Sequence, residues 1–123
     1  MINEEFKRQL YYLLVQFIKM TNNRDSDGIK NKFSINEEVF EEIIENLGEY
    51  FGKSFIIDIA PYQKAFEKRR NRQNIDIYEI NEHGVFGVEC IIWFNGKPQE
   101  AILHAEVFGK IEDLKLRYKY IDS

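Results

Sequence analysis

Cysteine, proline and long apolar runs are scarce in this chain, and each scarcity removes a class of protein. Of 123 residues one is cysteine and two are proline. With Cys90 as the single thiol, an intrachain disulfide and a thiol-rich metal site are both excluded. No glycine-rich phosphate loop follows a strand, and no spacing of metal-ligating residues occurs, so neither cofactor nor metal is expected. The apolar run from Tyr11 to Val15, continued by Phe17-Ile18, is broken by Gln16 and bounded by charge. It is too short to cross a bilayer and lacks the basic start and small-residue cleavage site of a signal peptide. A reducing cytoplasm and no membrane partner are the resulting expectations. Positive charge is also short, 17 Lys and Arg against 21 Asp and Glu, for a net −4. That balance disfavours nucleic-acid binding by the surface as a whole.

What is present is enough for one packed domain over residues 1–123. Hydrophobic residues make up 44% and aromatics 15%, a composition that folds rather than stays disordered. A chain of this length buries roughly two-thirds of its unfolded surface. Abundant Asn, Ile, Lys and Glu suggest a bacterial source.

Residues 85–121 organise the rest, reading as three antiparallel strands. Asn95-Gly96 suits a type I′ hairpin turn, which needs positive φ at both central residues. It sets Phe94 against Lys97 and puts Phe86, Val88 and Cys90 opposite Ala105, Leu103 and Ala101. A second tight turn at Gly109-Lys110 sets Ala105, Leu103 and Ala101 against Leu114, Leu116 and Tyr118, and puts His104 near Gly87 and Lys115. Both registers gather apolar residues on one face. Glu89, Ile91, Trp93, Ile102, His104, Lys115, Arg117 and Lys119 fall on the other, a mixed face suited to a partner, a second copy or a loop.

Upstream, residues 3–20 predict an amphipathic helix capped by Asn3, with Phe6, Leu10, Leu13, Leu14, Phe17 and Ile18 as its stripe. Residues 21–32 are polar and aperiodic and read as a loop; Asp25, Asp27 and Gly28 lack the glutamate a calcium loop requires. A second helix is expected over residues 37–51. Asn36 can cap it with an Ile35–Phe40 staple, or Ser34 and Glu37 can form a capping box, and Gly52 closes it. Residues 54–59 predict a short strand stopped by Pro61, residues 61–70 a short third helix, and residues 74–80 a strand. The fold class is therefore α+β, two N-terminal helices packed on a curved antiparallel sheet of four to five strands.

The run Tyr78-Glu79-Ile80, Gly87-Val88-Glu89-Cys90, Trp93-Phe94, then a turn and a closing strand ending Tyr120-Ile121-Asp122, resembles the C-terminal sheet of nuclear transport factor 2-like (cystatin-like) domains. The resemblance implies N-terminal helices against the concave side of a curved sheet. Some small, acidic bacterial members of that fold are immunity proteins that neutralise a toxin from a rival cell. Enzymatic relatives carry an Asp, His or Tyr set inside the cone; the predicted core positions here offer none.

The candidate site residues come from charge. Glu37, Glu41, Glu45 and Glu49 repeat every four residues with Glu38 and Glu42 alongside, and no Lys or Arg lies among them. Like charges at that spacing destabilise a helix, a cost that binding to a basic partner relieves. An ordinary solvated face is the plain alternative. Lys64, Lys68, Arg69, Arg70 and Arg72, against Glu67, form a basic run that can grip phosphates but carries no nucleic-acid module signature. His83 is placed in a turn and His104 in mid-strand, on the face opposite Cys90, so a Cys–His pair is not expected, whereas Glu89 and Glu106 share the face of His104. The expected function is an immunity protein, not an enzyme. It would occlude a cognate basic toxin domain such as a nuclease through Glu37, Glu41, Glu42, Glu45 and Glu49, with Trp93 and His104 as further partner contacts. The alternatives are a ligand-binding or enzymatic cone with its pocket between helices and sheet, and a homodimer through Ile91, Trp93 and Ile102.

Overall fold

The structure, a computed structural model, describes residues 2–68 and 72–123; Arg69 and Arg70 of the basic run lie outside the described residues. The chain is α+β. Three helices, α1 (Glu4–Asn22), α2 (Ser26–Phe33) and α3 (Glu37–Phe51), precede a single turn, α4 (Tyr62–Ala65). An antiparallel sheet follows in the order β1-β2-β3-β4, formed by β1 (Ile75–Glu79), β2 (Val85–Phe94), β3 (Lys97–Phe108) and β4 (Lys115–Asp122).

Each helix begins where a side chain can take up a free backbone N–H. Asn3 accepts from Phe6 N at α1 and Asn36 from Val39 N at α3. Of the two caps conceivable for α3, Asn36 is used; Ser34 instead ends α2 in the left-handed conformation, at φ 58°. The expected loop over residues 21–32 is largely helix. Asp25 accepts from Gly28 N and starts α2, and Ile29 and Phe33, four residues apart, bury one side of it. A Cβ on Gly28 would collide with that capping carboxylate. Two apolar residues in eight make too faint a period to read, yet they suffice once α1 and the sheet supply a surface.

One core joins helices and sheet. Leu10, Leu14 and Phe17 of α1, Ile29 of α2 and Phe40, Ile43 and Leu47 of α3 meet Val88, Cys90, Ile92, Leu103 and Val107. On β3 buried and half-buried residues alternate from Ala101 to Phe108, as a sheet with one covered face requires.

The registers differ from expectation in an instructive way. Asn95 and Gly96 do turn the chain, at φ 53° and 76°, and Phe94 faces Lys97. Beyond Trp93–Pro98 the ladder slips, however, and Val88 pairs with Ala105 and Cys90 with Leu103. Three β3 residues there oppose Ile92 alone, a bulge beside a proline that has no N–H to give the ladder. The expected tight turn at Gly109-Lys110 is a longer loop with a 3₁₀ turn, Ile111–Asp113, so Ala105 pairs with Tyr118 and Val107 with Leu116. The β2–β3 shift, and the β3–β4 shift as far as Tyr118, are by an even number of residues, so up to there the partners change while the faces stay as expected. Past the β4 bulge at Lys119 the shift is odd, and Ile121 rather than Tyr120 faces the core.

The expected strand over residues 54–59 is an extended segment making one bridge: Asp58 N donates to Trp93 O at 2.9 Å and Trp93 N to Asp58 O at 2.8 Å. The expected helix over residues 61–70 contracts to α4, preceded by Pro61.

Candidate functional site

All six glutamates of α3 are exposed, and no cation among the described residues lies within 4.0 Å of any of them. Glu37 and Glu38 suit the positive N-terminal end of the helix dipole. Glu45 and Glu49 approach the negative end, where the last turn holds no Lys or Arg and Lys53 follows just beyond it. Each like-charged pair at i, i+4 costs a few tenths of a kcal/mol, so the four pairs cost roughly 1 kcal/mol together.

The same end of α3 carries a second anomaly. Gly48 sits inside the helix, where glycine costs about 1 kcal/mol against alanine. Nothing in the packing demands it, because a Cβ there would meet its nearest neighbour, Lys53 Cα, at an ordinary 3.9 Å. Gly48 lines, with Ile44, Glu45, Glu49 and Lys53, an open cleft of about 560 Å³. An apolar floor between two carboxylates is a seat for an apolar side chain carried by a basic partner. The sequence pattern found the ridge but not this notch; a helix-interior glycine far from any cap was the available signal.

Trp93 and His104 lie elsewhere, on the sheet face turned away from the helices, so the core separates them from the α3 ridge. Trp93 is half-buried and pinned, its Nε1 donating to Oδ1 of the buried Asn74 at 3.0 Å. It lines a cleft with Lys64, Glu67, Asn74, Gly96 and Pro98. Ile91 is buried. His104 stands opposite Glu89 and Tyr120 rather than near Gly87 and Lys115. Its Nε2 shares a 2.7 Å hydrogen bond with Asp122 Oδ1, its Nδ1 is 3.9 Å from Glu89 Oε2, and its ring stacks on Tyr120 at 4.3 Å. Asp122 was not among the expected partners because a bulge in β4, between the pairs His104–Tyr120 and Ala105–Tyr118, turns Tyr120 and Asp122 onto this face. Arg117 donates to Glu106 at 2.7 and 2.9 Å. Tyr78 lies over Gly87, and burial followed by the charges of Glu89, Tyr120, Asp76 and Glu106 raises its pKa. Cys90 faces the core, and burial pushes its thiol up to about 12, so it is no nucleophile in the folded chain.

A set of polar anchors that sequence reasoning did not identify fixes residues 53–60. Asn22 receives Ile57 N–H and donates to Ile57 O, at 2.9 and 2.8 Å. The Arg24 guanidinium donates to the carbonyls of Asn22, Lys53 and Phe55 and covers the Phe55 ring at 3.9 Å. Tyr11 donates to Ala60 O at 2.8 Å. These residues are structural: apart from Asn22 O and the Phe55 ring, these partners are backbone atoms of residues 53–60.

Of the basic run, Lys64 and Lys68 are exposed, and Arg72 donates to Gln99 O. His83 is exposed in the turn before β2. Among the described residues no group of three or more His, Cys, Asp or Glu is placed to hold a metal ion, and no helix is long and apolar enough to cross a membrane. No family model, no curated protein and no solved structure matches the chain.

Proposed function

We propose that the chain is a binding protein that neutralises a basic toxin domain, such as a nuclease, by covering it with α3. The observation that carries this reading is the C-terminal half of α3. There Glu45 and Glu49 oppose the helix dipole, and between them Gly48, a glycine that packing does not require, lines a mostly apolar cleft with Ile44 and Lys53. Two electrostatic costs and a helix-interior glycine fall on one exposed patch; a partner's cations offset the first two, and an apolar anchor fills the space beside the third. Unpaired glutamates also accelerate the approach of a basic surface. The resemblance of residues 78–122 to a fold that includes bacterial immunity proteins supports the same reading, with the cytoplasm as the place of action.

The cone alternative wants His104 or Asp58 in a cavity between helices and sheet. His104 is on the far side of the sheet, and Asp58 is exposed on the rim of an open cleft with Ile18, Asn22 and Ile56. Neither placement favours it.

The test is co-purification with the polypeptide encoded immediately upstream of this gene. A complex stable at about 0.1 M salt and lost toward 1 M, where screening is nearly complete within 3 Å, is the expected result. No complex, or one indifferent to salt, overturns the reading.

A further inference from the structure

We propose that the outer face of the sheet is a self-association surface, on which a second copy of this chain packs face to face with β1 over the partner's β4. The argument rests on how charge and aromatic surface are laid out across the four strands, and it stands independently of the α3 ridge. The accessible aromatic surface of the face lies on its two edge strands, Tyr78 of β1 at 39% and Tyr120 of β4 at 50% exposed, with the half-buried His104 of β3 between them. Tyrosine and arginine are the residues that anchor such contacts. Ile91 and Trp93, the expected anchors, are already covered or pinned, which moves the contact toward Tyr78, His104 and Tyr120.

The charges at the two edges have opposite sign. Asp76 and Glu89 pair across β1 and β2 and put two carboxylates on one side. Lys115, Arg117 and Lys119 of β4 put three cations on the other. Asp122, the acid at the β4 end of the face, is held by His104, and Glu106 in the middle is held by Arg117 with Lys119 at 4.0 Å. A twofold axis in the interface can run across the strands or along them. Running across, it stacks β1 on β1 and sets acid against acid. Running along the β2–β3 seam, it stacks β1 on β4, so that Asp76 comes level with Tyr120 of the partner subunit, with Lys119 of the partner subunit next to it in the β4 bulge, and Tyr78 faces Arg117 of the partner subunit, twice over. Charge selects the second arrangement. Facing sheets sit about 10 Å apart, a gap that these long side chains span from both sides. The ridges of both copies remain outward and free.

The test is the solution mass of the whole chain by sedimentation, loaded at about 100 µM, above the micromolar dissociation constants typical of small polar interfaces. Wild type is expected at twice the 14.8 kDa chain mass. Asp76→Lys alone and Lys119→Glu alone each bring like charges together twice and should give monomers. Mixed in equal amounts the two variants restore both contacts, Lys against Glu and Asp against Lys, and the dimer returns. Asp76→Ala and Lys119→Ala, which should weaken the dimer about tenfold each, replace either reversal if it loses its native circular dichroism. A monomeric wild type, single variants that stay dimeric, or a mixture that stays monomeric overturns the proposal.

Discussion

At single residues the molecule trades on close fits that composition hides. Gly87 is glycine because the Tyr78 ring occupies the space a methyl would need. Gly87→Ala should therefore cost about 1–3 kcal/mol, as overpacking does. In a Tyr78→Ala background the same change should cost little, and urea denaturation of the four variants measures the difference. Tyr118 makes a prediction about pH. Burial, then the nearby charge of Glu42, pushes its phenol up to about 12 from an ordinary 10.0. The neutral form is the one the fold favours, so this contribution is complete below pH 10 and is lost as pH rises through about 12. Cys90, raised from 9.0 to about 12 by burial, acts in the same direction. Tyr118→Phe should flatten the fall in stability between about pH 10 and 12, read from melting temperatures across that range; an unchanged slope contradicts it. Little of this scale was legible in the sequence. The Asn22, Arg24 and Tyr11 anchors join residues 29 to 49 positions apart, and no local pattern announces such pairs. Asp122 reached His104 only through a bulge.

Among the elements, α1, α3 and the hairpin at Asn95-Gly96 were legible because caps, periodicity and turn chemistry agreed within each segment. Helix α2 was not, because its apolar residues gain meaning only from the surface they cover. The faces of the sheet survived two wrong registers as far as Tyr118, because side chains alternate with period two and the errors there were even; past the β4 bulge the error was odd and the faces of Tyr120, Ile121 and Asp122 were exchanged. The Glu repeat located the ridge, while the notch in it depended on three-dimensional room beside Gly48. That notch carries the next prediction. Gly48→Ala should stabilise the isolated chain by up to about 1 kcal/mol through helix propensity while narrowing the cleft. A rise in melting temperature together with weaker capture of the basic partner separates a binding glycine from a structural one. A fall in stability would show that packing demands the glycine after all.

For the molecule as a whole, the core divides two surfaces of different character. The helix side presents six exposed glutamates, with no ion pair among the described residues, beside a mostly apolar notch. The sheet side presents exposed tyrosines on two edge strands, one carrying Asp76 and the other Lys115, Arg117 and Lys119. On the two proposals taken together, a dimer held through the sheet would carry a basic partner on each α3 ridge. Fold class was readable from the order of helices and strands, and the division of labour between the faces was not, since it depends on which residues end up uncovered. The central claim is that the ridge of α3 does the capturing. The most direct test is the association rate with the purified upstream-encoded domain at low salt, wild type against Glu41→Lys/Glu45→Lys. A drop of about tenfold or more that closes as salt is raised is the predicted result. Equal rates and equal affinity at low salt would contradict it and leave the six glutamates as a solvated face.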